Sequence, residues 1–174
     1  MKIRQATLQD LPGILELIEE AKQSLAARGV DQWQNGYPDA MVITNDIQKR
    51  QSYVMEANRS IIGTAAILCE EDPNYQKIED GQWLTSGPYG VVHRIAIHPD
   101  HKGQGLAGCF FSYAWQLCQS ANCVSLRIDT HQDNEAMQHA IRRFGFTYCG
   151  MVQMADGSPR KAYEYIGEEK DHGF

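Results

Sequence analysis

Apolar positions recur along the chain in two rhythms, and the switches between them mark out the elements. Residues 2–6 (KIRQA) alternate as a short strand does, and Thr7 to Asp10 then has the form of a capping box. Behind it Leu11, Ile14, Leu15, Ile18, Ala21 and Leu25 recur at three- and four-residue intervals on one helical face, with Gly29 placed to stop the helix. A segment with two aromatics (GVDQWQNGYP) follows, and Pro38 suits the first turn of a second, more polar helix through about Gln51. From Ser52 the period changes to two: SYVMEA and SIIGTAAIL, joined at Asn58-Arg59, read as an antiparallel hairpin. Residues 70–88 are acidic and rich in turn formers, which predicts a long, mobile loop. After it come a strand over 89–97, a helix over 103–121 and a strand over 124–130. A helix over 134–144 and a final hairpin of 146–154 with 161–167, turning at Ala155 to Ser158, complete the chain.

Composition narrows this picture only by exclusion. The 174 residues, 43% hydrophobic and 22% charged, suit one globular domain spanning 1–174 with no internal repeat and no linker. A formal charge of −6 supplies no basic field for phosphates, which predicts no nucleic-acid partner and no adhesion to anionic membrane. The polar opening MKIRQATLQD and the short apolar runs predict neither a secretion signal nor a membrane span. Five cysteines, odd in number and without a C-x-x-C pair, predict reduced thiols in a cytoplasmic protein and no metal site. Cys149 reads as a small buried hydrophobe more readily than as a reactive thiol.

Chemistry concentrates between the strand over 89–97 and the helix behind it, in His98-Pro99-Asp100-His101-Lys102-Gly103-Gln104-Gly105-Leu106-Ala107-Gly108. Glycines there let backbone N–H groups converge at a helix N-terminus, where unpaired amides and the dipole favour an anion. A plain chain reversal is the bland reading of the same turn. Gly103-x-Gly105-x-x-Gly108 is also, literally, the dinucleotide-binding fingerprint, with Asp129 where a ribose-binding acid would fall. Against that reading, HPDHK intervenes between strand and first glycine, and hairpins rather than alternating strands and helices flank the unit.

Another pattern fits these residues better. The strand Ile95-Ala96-Ile97, the turn Lys102-Gly103-Gln104-Gly105-Leu106-Ala107 and Asn134 in the next unit resemble the acetyl-CoA signature of the GNAT superfamily of N-acetyltransferases. The resemblance extends over nearly the whole chain, from IRQATLQDLPGILELI at the start to Arg143-Phe144-Gly145-Phe146 near the end. Lys102 departs from the usual Gln or Arg, keeping a cation but losing the planar fork. The resemblance implies an α/β fold with a mixed, mostly antiparallel sheet that splays between two central parallel strands and is flanked by helices. It implies transfer of an acetyl group from acetyl-CoA to a primary amine of a small molecule or peptide by direct attack. A homodimer is the family expectation for assembly.

The resemblance also implies roles. The pantetheine arm would enter the splay and bond the backbone of Ile95, Ala96 and Ile97. The pyrophosphate would rest on the turn from Lys102 to Gly108, on the amides of Gln104, Gly105, Ala107 and Gly108, and Asn134 would bond the pantetheine arm or simply cap its helix. For the proton work the candidates are Asp129 and His93: alternation places Arg127, Asp129 and His131 on one face and His93 on a face with Ile95. The bland alternative is an Arg127, Asp129, His93 network that only satisfies buried polar groups. Ile141 stands where many family members carry an acidic tyrosine, which leaves Tyr148, water or no acid at all for the leaving thiolate. That departure motivates the competing reading, an acyl-CoA-binding regulatory module without efficient catalysis. Trp33 and Tyr37 either wall the acceptor pocket or pack in the core, and the acidic loop either steers a cationic amine or is a solvated surface.

Overall fold

The computed structural model describes residues 1–167. In chain order it runs β1 (Lys2–Gln5), α1 (Leu11–Ala27), α2 (Ala40–Gln48), β2 (Ser52–Ala57), β3 (Ser60–Leu68), β4 (Tyr89–Ile97) and α3 (Leu106–Ser120). It continues with β5 (Ser125–Thr130), α4 (Glu135–Phe144), β6 (Thr147–Gln153) and β7 (Pro159–Tyr165). The strands form one seven-stranded sheet in the order β1-β2-β3-β4-β5-β7-β6. All neighbours are antiparallel except β4 and β5. The mixed sheet flanked by helices that the sequence implied is therefore present.

Alternation along β2 sorts the two layers. Tyr53 and Met55 join Phe110, Phe111 and Ala114 of α3 and Ile141 of α4 in the largest apolar cluster. Val54, between them, faces the other way, onto Ile14 and Ile18 of α1 and Ile43 and Ile47 of α2. A third cluster on that same side, built on Tyr75, Tyr89 and Val91, lies beside the helices. The sheet is thus covered on both faces, and its polar central residues are shielded from bulk water.

Helix starts differ from expectation for backbone reasons. The third helix begins at Leu106 rather than at 103, because Gly103 and Gly105 hold φ of 78° and 75°, outside helical space. The second begins at Ala40, so Pro38 lies before the helix rather than in its first turn, and Asp39 caps it, its carboxylate accepting from the Val42 amide at 2.9 Å. At the first, the Asp10 carboxylate accepts from the Thr7 amide at 2.7 Å and from both Arg4 terminal nitrogens at 2.8 Å, so β1 is tied to α1.

The acidic loop is not the mobile segment its composition predicts. Tyr75 is 1% exposed. Its ring packs on Trp83 and Tyr89, and the Trp83 indole N–H donates to its carbonyl at 2.9 Å. Farther along, the Leu84 amide and the Thr85 hydroxyl donate to the buried Glu164 carboxylate at 2.5 and 2.6 Å. Buried aromatic area and these bonds offset the ordering entropy that a polar loop would otherwise keep.

Candidate active site

The parallel pairing of β4 with β5 covers Tyr89, Gly90 and Val91 against Ser125, Leu126 and Arg127, and stops there. Past that point β4 follows β3 as far as Ile97, and β5 follows β7 as far as Thr130. Held by different neighbours, the two strands diverge. A cavity of about 1390 Å³ opens in the wedge, lined by Ile95, Ala96 and Ile97, the glycine turn and Asn134. That exceeds the roughly 300–1,000 Å³ of a typical single-ligand pocket, so two substrates can meet inside it.

A β-bulge decides which side chains face this wedge. Thr64 and Ala66 of β3 pair with Ala96 and His93, so two steps on one strand oppose three on the other, and Arg94 takes a left-handed φ of 51°. As a result Val92 and Ile95, an odd three residues apart, both pack on the α3 side. His93 and Ile95 therefore do not share a face, contrary to simple alternation. His93, two residues from Val91, keeps to the Tyr75 side, and the bulge after it lets Arg94 reach the Asp46 of α2 from that side as well.

There His93 and Asp129, the two residues singled out for proton work, come together from the two diverging strands. The His93 Nδ1 lies 3.9 Å from Asp129 Oδ2. Its Nε2 is hydrogen-bonded to Asp72 Oδ2. Asp129 Oδ2 accepts from the Tyr75 hydroxyl at 2.5 Å. Burial would raise the Asp72 carboxyl, but the imidazole beside it holds it below the usual carboxylate range. Burial, and then the Asp129 charge, push the Tyr75 hydroxyl well up, so it stays a neutral donor. Asp72 and Tyr75 were missed in the sequence because they sit in the loop read as solvated.

Arg127 is not part of this cluster, so among the described residues the bland alternative, a network of Arg127 with Asp129 and His93, is not formed. Its Nε donates to Glu164 Oε1 at 3.0 Å and its guanidinium lies 3.9 Å from the Tyr89 ring centroid and 4.1 Å from that of Trp83. Burial would raise the Glu164 carboxyl, but donors from Ser125, Thr85 and Arg127 hold it down. His131 lies outside the cavity wall and accepts locally from the Asp133 amide.

At the other end of the wedge the turn is open: a Cβ on Gly103 or Gly105 would meet nothing within 4 Å. Gly105 is the N-cap of α3, and Lys102, Gly103, Gly105, Leu106, Ala107 and Gly108 line the cavity. Two expectations need adjustment. The Gly108 amide is already committed to the Gly105 carbonyl at 3.0 Å, and Gln104 is exposed and outside the wall. Leu106 sends its side chain into the core, leaving only backbone to the turn. Lys102 Nζ donates to Ser24 Oγ at 2.7 Å; burial and the nearby Arg28 charge lower its pKa. Arg28, at the end of α1 and also in the wall, is a second cation that the motif did not include.

Asn134 both caps and lines. Its Oδ1 accepts from the Met137 amide at 3.3 Å and its Nδ2 donates to Gln32 at 2.9 Å, while the residue faces the cavity. The neighbouring Thr130 hydroxyl is buried in the wall without a hydrogen-bond partner among the described residues, a polar atom left for a ligand.

The mouth is closed by the connection between α1 and α2 and by the last hairpin, which touch through Asn35 and Asp156 at 3.3 Å. Trp33 and Tyr37 both line it. Arg94 fixes the connection from below, bonding the buried Asp46 at 2.6 and 2.7 Å and the Tyr37 hydroxyl at 2.9 Å. The acidic side chains Asp31, Glu70, Glu71, Asp72 and Asp156 line the cavity, together with the cations Arg94 and Arg160. Ile141 is fully buried in the core, and Tyr148, 48% exposed, packs on Tyr163 away from the cavity, so it is not placed to act as an acid.

Residues 14–146 match the model of the acetyltransferase (GNAT) family. The chain is 24% identical over 163 residues, 91% of its length and 86% of the relative's, to the uncharacterized N-acetyltransferase YesJ of Bacillus subtilis strain 168. It is similar to the solved GNAT-family acetyltransferase of Streptococcus agalactiae 2603, with 35% identity, a TM-score of 0.86 and coverage of 97% of this chain and 96% of that one. The GNAT-family acetyltransferase of Listeria monocytogenes 4b F2365 shares the fold, with 21% identity, a TM-score of 0.72 and coverage of 94% and 93%.

Proposed function

Because the chain belongs to the GNAT acetyltransferase family and is an N-acetyltransferase, we propose that it acetylates a primary amine by direct attack, with His93 as the base. The observation that carries this is the placement of His93 and Asp129, one on each diverging strand, just past the last parallel pair at Val91 and Arg127. Acetyl-CoA, the family's co-substrate, supplies the electrophilic thioester carbonyl and a thiolate leaving group. The open amides of the 102–108 turn, with the cations Lys102 and Arg28, suit its phosphates, and the backbone of Ile95 to Ile97, Thr130 and Asn134 suits its arm.

Proton transfer follows from the hydrogen bonds. Asp72, ionised, accepts from Nε2 and so fixes the imidazole tautomer with its lone pair at Nδ1. A 3.9 Å separation between Nδ1 and Asp129 Oδ2 is too wide for a direct hydrogen bond and spans a shared donor. An incoming ammonium donates to both, loses one proton to Nδ1 and attacks with the freed lone pair. As the N–C bond forms the C–S bond breaks, and the nitrogen, now cationic, gives up its second proton through water to the departing thiolate, while His93 later passes the first to solvent. A thiol pKa of about 8.5 makes the thiolate a competent leaving group, so water suffices for that relay and no tyrosine is needed at 141.

The carboxylates lining the cavity favour a cationic acceptor. An acyl-CoA-binding regulatory module needs no half-buried imidazole between two carboxylates, which weighs against that reading. Thiol release from acetyl-CoA with a panel of polyamines, amino acids, aminosugars and N-terminal peptides tests the proposal. Turnover with a cationic amine is expected; tight acetyl-CoA binding with no turnover on any of them would overturn it.

A further inference from the structure

Three of the five cysteines take no part in the chemistry above, and they converge. Cys69 follows β3 directly, Cys118 lies in the last turns of α3 and Cys123 in the connection to β5. Their sulfurs all lie within 4.8 Å of one another. We propose that Cys69, Cys118 and Cys123 form a binding site for a thiophilic d10 metal ion, with Zn²⁺ the ion of that class to test.

Packing alone does not account for the trio. Cys118 is buried and Cys123 partly so, as small hydrophobes in the main core would be, but Cys69 is exposed. The sulfur of Cys118 has little freedom, since a Cβ at Gly90 of β4 would overlap it; the absence of a side chain there leaves it its place against the strand. Cys118 and Cys123 are spaced C-x4-C, within the range by which two cysteines of one turn ligate zinc, and Cys69 adds a third thiolate from a neighbouring strand. With Zn–S bonds of about 2.3 Å, tetrahedral sulfurs sit roughly 3.8 Å apart, so closing the site from the present separation takes only small rotations. The exposed side of Cys69 leaves room for water as the fourth ligand. Binding displaces the thiol protons into solvent.

The location gives the site a role. Cys69 is the root of the loop that carries Asp72, the residue bonded to His93. An ion held there would tie that root to the end of α3, anchoring the loop without touching the reacting atoms.

The full chain, reduced and stripped of metal, is titrated with Zn²⁺ against a chromophoric chelator and with Co²⁺ by thiolate-to-metal charge-transfer absorption. One ion per chain, a sulfur charge-transfer band and a rise in Tm on adding Zn²⁺ are expected. Cys69→Ser, an exposed and mild change, and Cys123→Ser weaken binding more than about 100-fold, beyond the 10–100-fold that altering an outer partner costs. Cys109→Ser, outside the trio, leaves it unchanged. No stoichiometric binding by a folded native chain, or equal affinity in Cys69→Ser, overturns the proposal. So does a disulfide within the trio under oxidised glutathione in a chain that takes up no metal when reduced. None of these readouts depends on acetyl transfer.

Discussion

His93 Nδ1 faces Asp129 Oδ2 at 3.9 Å across the open end of β4 and β5, with Asp72 bonded to the far nitrogen of the same ring. The two groups come from strands whose hydrogen-bond partners pull them apart, so the cavity and the pairing of these two side chains at its edge have one structural cause.

Removing the imidazole is expected to cost roughly 10²–10⁴ in kcat, the usual contribution of a positioned base. His93→Gln should abolish the acidic limb of the pH–kcat/KM profile while leaving acetyl-CoA affinity by calorimetry unchanged. Asp129→Asn should instead act mainly on the KM of the amine. A retained acidic limb in His93→Gln would show that the base lies elsewhere.

Asp72 acts through His93 rather than on substrate. Asp72→Asn replaces the carboxylate bonded to Nε2 by an amide that no longer enforces an N–H at that nitrogen. With the tautomer no longer fixed, kcat should drop roughly tenfold or more, within the range a positioned base supplies. A purely structural role would lower Tm and leave kcat of the folded enzyme unchanged.

The turn before α3 tolerates little. Gly105 holds φ of 75°, where a Cβ costs about 1–2 kcal/mol. Gly105→Ala should therefore lower Tm modestly and keep some affinity, whereas Gly105→Glu adds a carboxylate to an anion site and should abolish acetyl-CoA binding by calorimetry. Equal affinity in both variants would rule out this turn as the phosphate site.

Acid stability should depend on the N-terminal cluster. Hydrogen bonding to Arg4 lowers the Asp10 carboxyl to about 2 from an ordinary 3.8. A depressed folded pKa gives stability that is present above about 4 and is lost as pH falls from there toward 2. Asp10→Asn should lower Tm at pH 7 and flatten its decline across that window in thermal melts.

Arg94 is the sole cation bonded to the buried Asp46 among the described residues. Arg94→Ala leaves that charge unpaired, which costs about 3–5 kcal/mol, and frees the Tyr37 hydroxyl. Chemical denaturation should show the loss, with a raised amine KM if Tyr37 walls the acceptor pocket.

Much of this was legible in local pattern. The seven strands, the four helices and the glycine turn follow from periods of two and 3.6 and from turn residues, because each is decided by neighbours a few positions away. The family resemblance was legible for the same reason: the turn that carries it is one contiguous stretch of chain. Where alternation misled, at His93 and Ile95, a bulge had shifted β4 by one residue, and nothing in YGVVHRIAI announces that Arg94 adopts a positive φ. The loop over 70–88 misled by composition, since its acidic residues outnumber the two aromatics that pin it.

The sequence by itself determined the order and type of the elements, the family and the glycine turn before α3, all matters of local hydrophobic period and backbone freedom. Only the tertiary structure decided that His93 sits between Asp72 and Asp129, that Arg127 serves Glu164 instead, that Arg94 holds Tyr37, and that three cysteines from three segments converge. Those pairings join residues far apart in the chain. They depend on sheet order and strand divergence, where burial forces each charge to find a partner.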